Sequence, residues 1–391
     1  MIGIATPSKP VCQICGYAES HWLGDHLRDV HSMDVDSYLD HYPESGTASQ
    51  ELELAHRSTF SKERQRASVK GITTTFAHID FIVNTDVPKE VCLAMPDHYR
   101  IPTKGLLARD VQDMAIALKM GRSTWVHGPP GTGKDAAFQA WCAMTRQPSL
   151  LFAVVQGADI QAWKYTRSFD QDGTHWEEGL LLRALRDGYI TRGGRVVPYL
   201  IVLSDFDRAT RQQAEELRLI LDSIQGRISG PTGEVYPVLP GTIVVATANS
   251  SGGGDHTGRC ISSQPIDASI LDRFARKIQF HTMDPEDEEF LLRSKFPLLC
   301  KMAPSVIPPM VRATTAVREA IEANALYAEW SHRSICNWAG AAEDILSVMG
   351  RQLKRDLLVR SLRVVLDGLP NPEVRDAVSR LVDPHIDGGV L

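Results

Sequence analysis

The sequence predicts an α/β fold, with a buried parallel sheet covered by helices on both faces, a helical region after it and a small metal-held module before it. Three observations carry this expectation. From about residue 76, short apolar runs alternate with amphipathic stretches of helix length. Short runs rich in Val, Ile and Leu, spaced in this way, are the pattern of strands buried on both faces. From about Pro285 those runs stop and helical periodicity takes over, as in Thr314–Trp330 and Arg333–Leu357. Near the N-terminus, Cys12, Cys15, His26 and His31 stand at metal-ligand spacing.

Length and composition agree with this division. The chain has 391 residues, which at roughly 100–200 residues per domain suits two or three domains. Apolar residues make up 43%, charged residues 23% and aromatics 7%, ordinary values for a soluble globular protein. No apolar run approaches the roughly 18 residues of a membrane span, and Met1–Pro10 lacks the layout of a signal peptide. Both points argue against a secreted or membrane-spanning protein. Five of the seven cysteines (Cys92, Cys142, Cys260, Cys300 and Cys336) are scattered, and two form the Cys12-x-x-Cys15 pair. That usage fits a reducing cytoplasm and one metal site. The net charge of −6 is concentrated between residues 11 and 44, where seven acids face a single base, Arg28. The remainder is neutral, so no segment shows the basic surplus of a non-specific polyanion binder.

Taken in order, residues 11–44 read as a module and 45–75 as a polar linker. Residues 76–284 read as the α/β core, with strands expected at Ser123–His127, Leu150–Val155, Tyr199–Leu203, Thr242–Thr247 and Lys277–Phe280. Residues 285–391 read as helical. Two stretches inside the core stand out. Gln156–Leu181 holds Trp163, Lys164, Tyr165, Phe169 and Trp176 among polar residues, suited either to gripping a partner or to ordinary packing. Gln225–Pro240 reads as a hairpin with Gly-Pro-Thr-Gly at its tip.

The strongest motif is Gly128-Pro129-Pro130-Gly131-Thr132-Gly133-Lys134-Asp135, between the strand ending at His127 and a helix opening near Ala136. Glycines at this spacing let backbone N–H groups turn inward around phosphate oxygens. The helix N-terminus adds its positive dipole end, and Lys134 reaches toward the terminal phosphates. A Ser or Thr hydroxyl usually follows the lysine and binds Mg²⁺. Here that position is Asp135.

A second apolar strand, Tyr199–Leu203, ends in Ser204-Asp205-Phe206-Asp207-Arg208-Ala209. This run resembles the D-E-x-[DN]-R-A of MoxR-type AAA+ ATPases, which include the CobS subunit of cobaltochelatase. In that register Ser204 stands at the Mg²⁺-holding acid and Asp205 at the acid that polarises the attacking water. The hydroxyl expected after Lys134 is an acid, and the acid expected at the strand end is a hydroxyl. We expect the two groups to have exchanged places, because Mg²⁺ requires oxygen ligands and not a particular strand to supply them. In a rival register Asp205 is the metal ligand and Phe206 occupies the water-polarising position, which implies weak hydrolysis.

Further features occur in the order of the same family. Thr242–Asn249 resembles the strand whose Asn positions the hydrolytic water. A glycine-rich loop with Asp255-x-Thr-Gly258 follows, then Asp272-Arg273-Phe274. The resemblance implies that Arg273 reaches the nucleotide of a neighbouring subunit, with Arg259 and Arg276 as substitutes. The Ser331-x-Arg333 stretch before Trp338 resembles the opening of a lid helix whose Arg contacts the γ-phosphate. Across roughly residues 76–350 the likeness implies a five-stranded core of order 5-1-4-3-2, an α-helical lid, Mg·ATP and a ring, usually hexameric. An arginine supplied in trans leaves a monomer incomplete, which favours head-to-tail closure.

In the N-terminal module, Cys12-x2-Cys15-x10-His26-x4-His31 offers two thiolates and two imidazoles, enough for a tetrahedral structural Zn²⁺ site, with His21 in reserve. A module so short gains its folding energy from the metal. Its tail resembles the H-L-R-x-x-H of Ros/MucR-type fingers, which bind DNA. The charge of −6 favours protein docking instead. The sequence thus supports an ATP hydrolase that remodels or activates a partner protein. A nucleic-acid-directed ATPase and a weakly hydrolysing scaffold are the alternatives.

Overall fold

The computed structural model describes residues 12–15, 27, 30–31 and 71–386, apart from 171–172, 222–225, 255–262, 351–353 and 370. Two compact units result, Met1–Gly71 and Ile72–Leu391. In the first, Cys12–Cys15 form a turn, and Leu27, Val30 and His31 are helical.

The second unit opens with an antiparallel hairpin, β1 (Thr73–Phe76) and β2 (Ile79–Ile82), and helix α1 (Gly105–Lys119). The core then alternates strand and helix: β3 (Thr124–His127), α2 (Lys134–Thr145), β4 (Ser149–Ala153) and α3 (Ile160–Lys164). A hairpin, β5 (Tyr165–Asp170) and β6 (Gly173–Glu178), leads to α4 (Leu180–Arg186), the short pair β7 (Tyr189–Ile190) and β8 (Val196–Val197), and then β9 (Leu200–Ser204). Helix α5 (Arg211–Leu221), hairpin β10 (Arg227–Ser229) and β11 (Val235–Pro237), β12 (Ile243–Ala248), α6 (Ala268–Leu271) and β13 (Arg276–Gln279) complete it.

Five of these strands form one sheet, ordered β13-β3-β12-β9-β4, with every neighbour parallel. The labels skip because hairpins intervene along the chain. Counted alone in chain order, the five strands lie 5-1-4-3-2. Side-chain alternation explains the three layers. Leu200 and Val202 of β9 face one side, with Val126, Val245 and the apolar faces of α1 and α2. Ile201 and Leu203 face the other, with Trp125, Val244 and residues of α4 and α5. Both faces are dry, which is why the strands read as unbroken apolar runs.

Among the described residues six α-helices follow: α7 (Pro285–Lys295), α8 (Pro297–Met302), α9 (Ile307–Glu322), α10 (His332–Met349), α11 (Lys354–Leu366) and α12 (Pro372–Ile386), packed around their own core. We call them the lid. Two helices differ in extent from the periodicity reading. Helix α9 starts at Ile307, because prolines suit the first helical turn, and it ends at Glu322, before the left-handed Asn324 (φ 56°). Residues 323–331 are therefore not helical. Helix α10 stops before Gly350 (φ 71°), and α11 is a separate helix. The lid is tied to the start of α1 by Asp287. Its carboxylate accepts from Thr103 Oγ1 and from the N–H groups of Thr103 and Lys104, at 2.7, 2.7 and 2.9 Å.

Candidate active site

The site lies at the C-terminal ends of β3, β9 and β12, where parallel strands leave a crevice between their loops and helices. The loop from Gly128 to Gly133 leaves β3 and enters α2. Gly128 takes φ 149°, and a Cβ there would stand 2.2 Å from the Phe280 carbonyl oxygen, so only glycine fits. Lys134 opens α2 and is buried. Its Nζ donates to the carbonyls of Gly128 (2.8 Å) and Pro129 (3.0 Å) and to Asn249 Oδ1 (3.1 Å). Beside it, burial and then the Lys134 and His281 charges hold the His127 imidazole below its ordinary pKa, favouring the neutral ring.

The second half of the site comes from β9 and β12. Asn249 Nδ2 donates to Asp205 Oδ1 at 3.3 Å, so Lys134, Asn249 and Asp205 form one hydrogen-bonded chain. Asp205 is in the left-handed region (φ 55°). Its backbone N–H donates to Thr247 Oγ1 at 3.3 Å, and Arg208 lies 3.6 Å from its carboxylate. This local turn aims Asp205 at the crevice while Phe206 goes fully into the core against Trp125 and Phe274.

Asp135 lies one residue beyond Lys134. Its Oδ2 accepts from Ser204 Oγ and its Oδ1 from Thr247 Oγ1, both at 2.7 Å. The acid after the lysine and the hydroxyl at the strand end therefore touch. Carboxylate and hydroxyl oxygens of this kind suit a hard cation such as Mg²⁺. Two groups had no place in the motif reading. Thr247 faces Asp135 only because the register of β12 turns it that way. Asp207, fully buried, accepts from the N–H groups of Asn249 and Ser250 (both 3.0 Å) and from Ser263 Oγ (2.6 Å). It fixes the turn that presents Asn249.

A cavity of about 280 Å³ adjoins the phosphate loop. Its walls come from the strap at residues 96–102, from Pro129–Gly133 and from the lid at residues 328–332. Apolar groups and three aromatics, Tyr99, Phe280 and Trp330, suit a flat heterocycle next to the phosphates. The strap carried no recognisable motif; the Pro96-to-Pro102 bracket was its one trace.

Of two expected arginines, Arg273 lies at the far end of β3 from the phosphate loop and Arg333 opens α10. Arg273 Nη1 donates to the Ser269 carbonyl, and the Arg273 carbonyl accepts from Ser123 Oγ at 3.0 Å. Ser123 precedes β3 and Gly128 follows it, so Arg273 sits about 16 Å from its own phosphate loop at about 3.3 Å per residue. Arg333 has an exposed side chain on the first turn of α10, and its N–H donates to Ser331 Oγ at 3.2 Å. Of the substitutes, Arg276 is exposed on β13 and Arg259 lies outside the described residues.

In the N-terminal unit, Cys12, Cys15 and His31 bring their ligand atoms within 4.8 Å of one another. His31 Nε2 lies 3.6 Å from Cys12 Sγ and 3.4 Å from Cys15 Sγ. His26 and His21 lie outside the described residues. Three converging N/S donors fit Zn²⁺ chemically.

Comparison with known proteins gives one family match: residues 124–274 correspond to the AAA domain (dynein-related subfamily). Among solved structures, the Thermotoga maritima RuvB Holliday junction branch migration motor is similar at 12% identity and TM-score 0.41, covering 68% of this chain and 72% of that one. A point mutant of the same RuvB matches at 11% identity and TM-score 0.43, covering 66% and 69%. The phosphate loop, Asp135, Ser204, Asp205, Thr247, Asn249 and Arg273 all fall inside residues 124–274, the stretch that matches the AAA domain (dynein-related subfamily).

Proposed function

We propose that this chain is a Mg·ATP-dependent ring ATPase of MoxR/CobS type that remodels or activates a partner protein. The observation that carries the reading is the chain Lys134–Asn249–Asp205, which runs from the phosphate loop to the expected water-polarising acid in unbroken hydrogen bonds. Lys134 exchanges its loop carbonyls for phosphate oxygens, Asn249 fixes the attacking water, and Asp205 accepts that water's proton. Asp135 and Ser204 would hold Mg²⁺, which would supply charge neutralisation on the phosphates. The burial of Phe206 supports this register over its rival, because a core side chain cannot stand where water is activated.

The position of Arg273, far from its own loop, supports a role in the pocket of a neighbouring copy and hence a ring. The β5–β6 hairpin supports a protein partner. Phe169 and Trp176 are exposed at 76% and 39%, with Arg167 stacked 5.0 Å from the Trp176 ring. Residues 164–178 nevertheless carry more acids than bases, which disfavours phosphate backbones. Among the described residues no helix is long and apolar enough to cross a membrane. Cys12, Cys15 and His31 would hold Zn²⁺ in the N-terminal unit, and His26, the fourth ligand expected from the sequence, lies outside the described residues.

Steady-state ATP turnover tests the reading. Lys134→Ala and Asp205→Asn are expected to lose at least about 100-fold in kcat/KM, the scale of losing an electrostatic or general-base group. Rates equal to wild type would reject it. Turnover stimulated by DNA and suppressed by salt would instead indicate a nucleic-acid-directed enzyme.

A further inference from the structure

The lid contains a buried charge cluster that the hydrolytic reading does not use. Glu288 of α7 is fully buried, and Arg318 of α9 is 8% exposed. Glu288 Oε2 accepts from Arg318 Nη1, and Oε1 from Arg318 Nη2, both at 2.8 Å. Oε1 also accepts from His332 Nδ1 of α10 at 2.8 Å. Arg318 Nε donates to the Trp330 carbonyl at 3.2 Å, fixing the chain just before α10. A carboxylate buried this deeply needs a partner, and the bidentate guanidinium already balances its charge. His332 is thus a further partner on a pair already balanced in charge, and when protonated it adds a second cation.

The cluster is also at a particular place. Arg318 and His332 line the cavity beside the phosphate loop. Ser331, one residue earlier, packs on Gly131 so closely that a Cβ on that glycine would stand 2.6 Å from Ser331 Cβ. The start of α10 is where the lid meets the phosphate loop.

We propose that His332 is a positioning residue for the nucleotide: bridged to Glu288, it holds the start of α10 against the phosphate loop and gives the lid a positive charge facing the polyphosphate. The proposal rests on the nucleotide reading above. Both ring nitrogens are engaged, Nδ1 by Glu288 and Nε2 by Cys336 Sγ at 3.1 Å, so the residue acts through placement and field, not by touching phosphate. Burial disfavours the imidazolium, but the hydrogen bonds to Cys336 and Glu288 outweigh it and raise the pKa to about 9. With the ring protonated, the cluster carries one net positive charge. Glu288, Arg318 and Cys336 face the ring directly. From the lid, Lys295, Glu322 and Glu329 line the same cavity, as do Asp97, His98 and Arg100 of the strap. Because the folded value is raised, the charge is present below it and is lost as pH rises through about 9.

Binding of a fluorescent ATP analogue to the full chain in Mg²⁺ tests this between pH 7.5 and 9.5. Wild-type affinity is expected to fall by about tenfold as the pH climbs toward the upper end. His332→Asn keeps an N–H donor without the charge. It is expected to bind about tenfold more weakly at pH 7.5, to lose the pH dependence, and to change KM more than kcat. His332→Gln serves if the Asn variant does not fold. A flat wild-type profile overturns the proposal, as does an equal fall in the variant or wild-type affinity of the variant at pH 7.5. Those outcomes leave the nucleotide reading standing. A wild type that binds no analogue at any pH sinks both.

Discussion

Asp135 is the residue on which the metal chemistry turns. Its two oxygens accept from Ser204 and Thr247 at 2.7 Å each, so the acid and the strand-end hydroxyl are already in contact. Exchanging them changes which backbone carries each group, while the oxygen ligands offered to Mg²⁺ stay one carboxylate and one hydroxyl. Asp135→Ser and Ser204→Asp, made singly, are expected to lower ATP turnover by about tenfold or more. The first leaves two hydroxyls and the second sets two carboxylates against each other. The double variant is expected to recover to within a few-fold of wild type, a coupling that only neighbouring groups show. A double variant no better than the worse single one would reject the exchange. Much of this site was legible beforehand, because Lys134, Asp135, Ser204, Asp205 and Asn249 each follow a short run whose strand or loop state is readable. Thr247 and Asp207 were not, since their roles arise from which way a strand register and a tight turn point them.

At the scale of elements, legibility follows burial. The five central strands were readable to within a residue or two because both their faces are dry. Side-chain period cannot mark the ends of α9 and α10; prolines at residues 308–309, Asn324 and Gly350 mark them instead. The cavity strap at residues 96–102 was invisible because its function comes from being folded against the phosphate loop and the lid. The N-terminal module is the opposite case, with its ligand spacing plain and a metal proposed to hold it together. Cys12, Cys15 and His31 converge within 4.8 Å, and a module this short lacks the apolar core to keep like donors together unaided. Elemental analysis of the purified chain is therefore expected to give one zinc per chain, and Cys15→Ala to lose it. Wild-type material that holds no zinc after purification without chelators would refute the assignment. Retained ATP turnover in the Cys15→Ala chain would further show that the module serves recruitment and not catalysis.

For the whole molecule the question is whether one copy suffices. Lys134 and Asp205 stand at one end of the sheet, while Arg273 is anchored through Ser123 at the other end of β3. On the proposed reading, Arg273 therefore serves the γ-phosphate of another copy and not of its own. Head-to-tail contacts of that kind give a ring where the rotation closes, which is the assembly proposed for this chain. The consequence is a complementation that folding defects cannot imitate. A Lys134→Ala subunit has an intact Arg273 but no working loop, and an Arg273→Ala subunit has the reverse. Each is expected to be nearly inactive alone. When the two are mixed, interfaces form in which the loop of the Arg273→Ala subunit meets the arginine of the Lys134→Ala subunit, and those sites are whole. In an equimolar mixture with random assembly, about one interface in four has this pairing, so turnover is expected to rise to a substantial fraction of wild type from a near-zero baseline. The rise should vanish on dilution below the assembly concentration, since it depends on association. An inactive mixture of two variants that each bind nucleotide and assemble would place the catalytic arginine elsewhere. An Arg273→Ala chain with full activity alone would remove the shared site altogether.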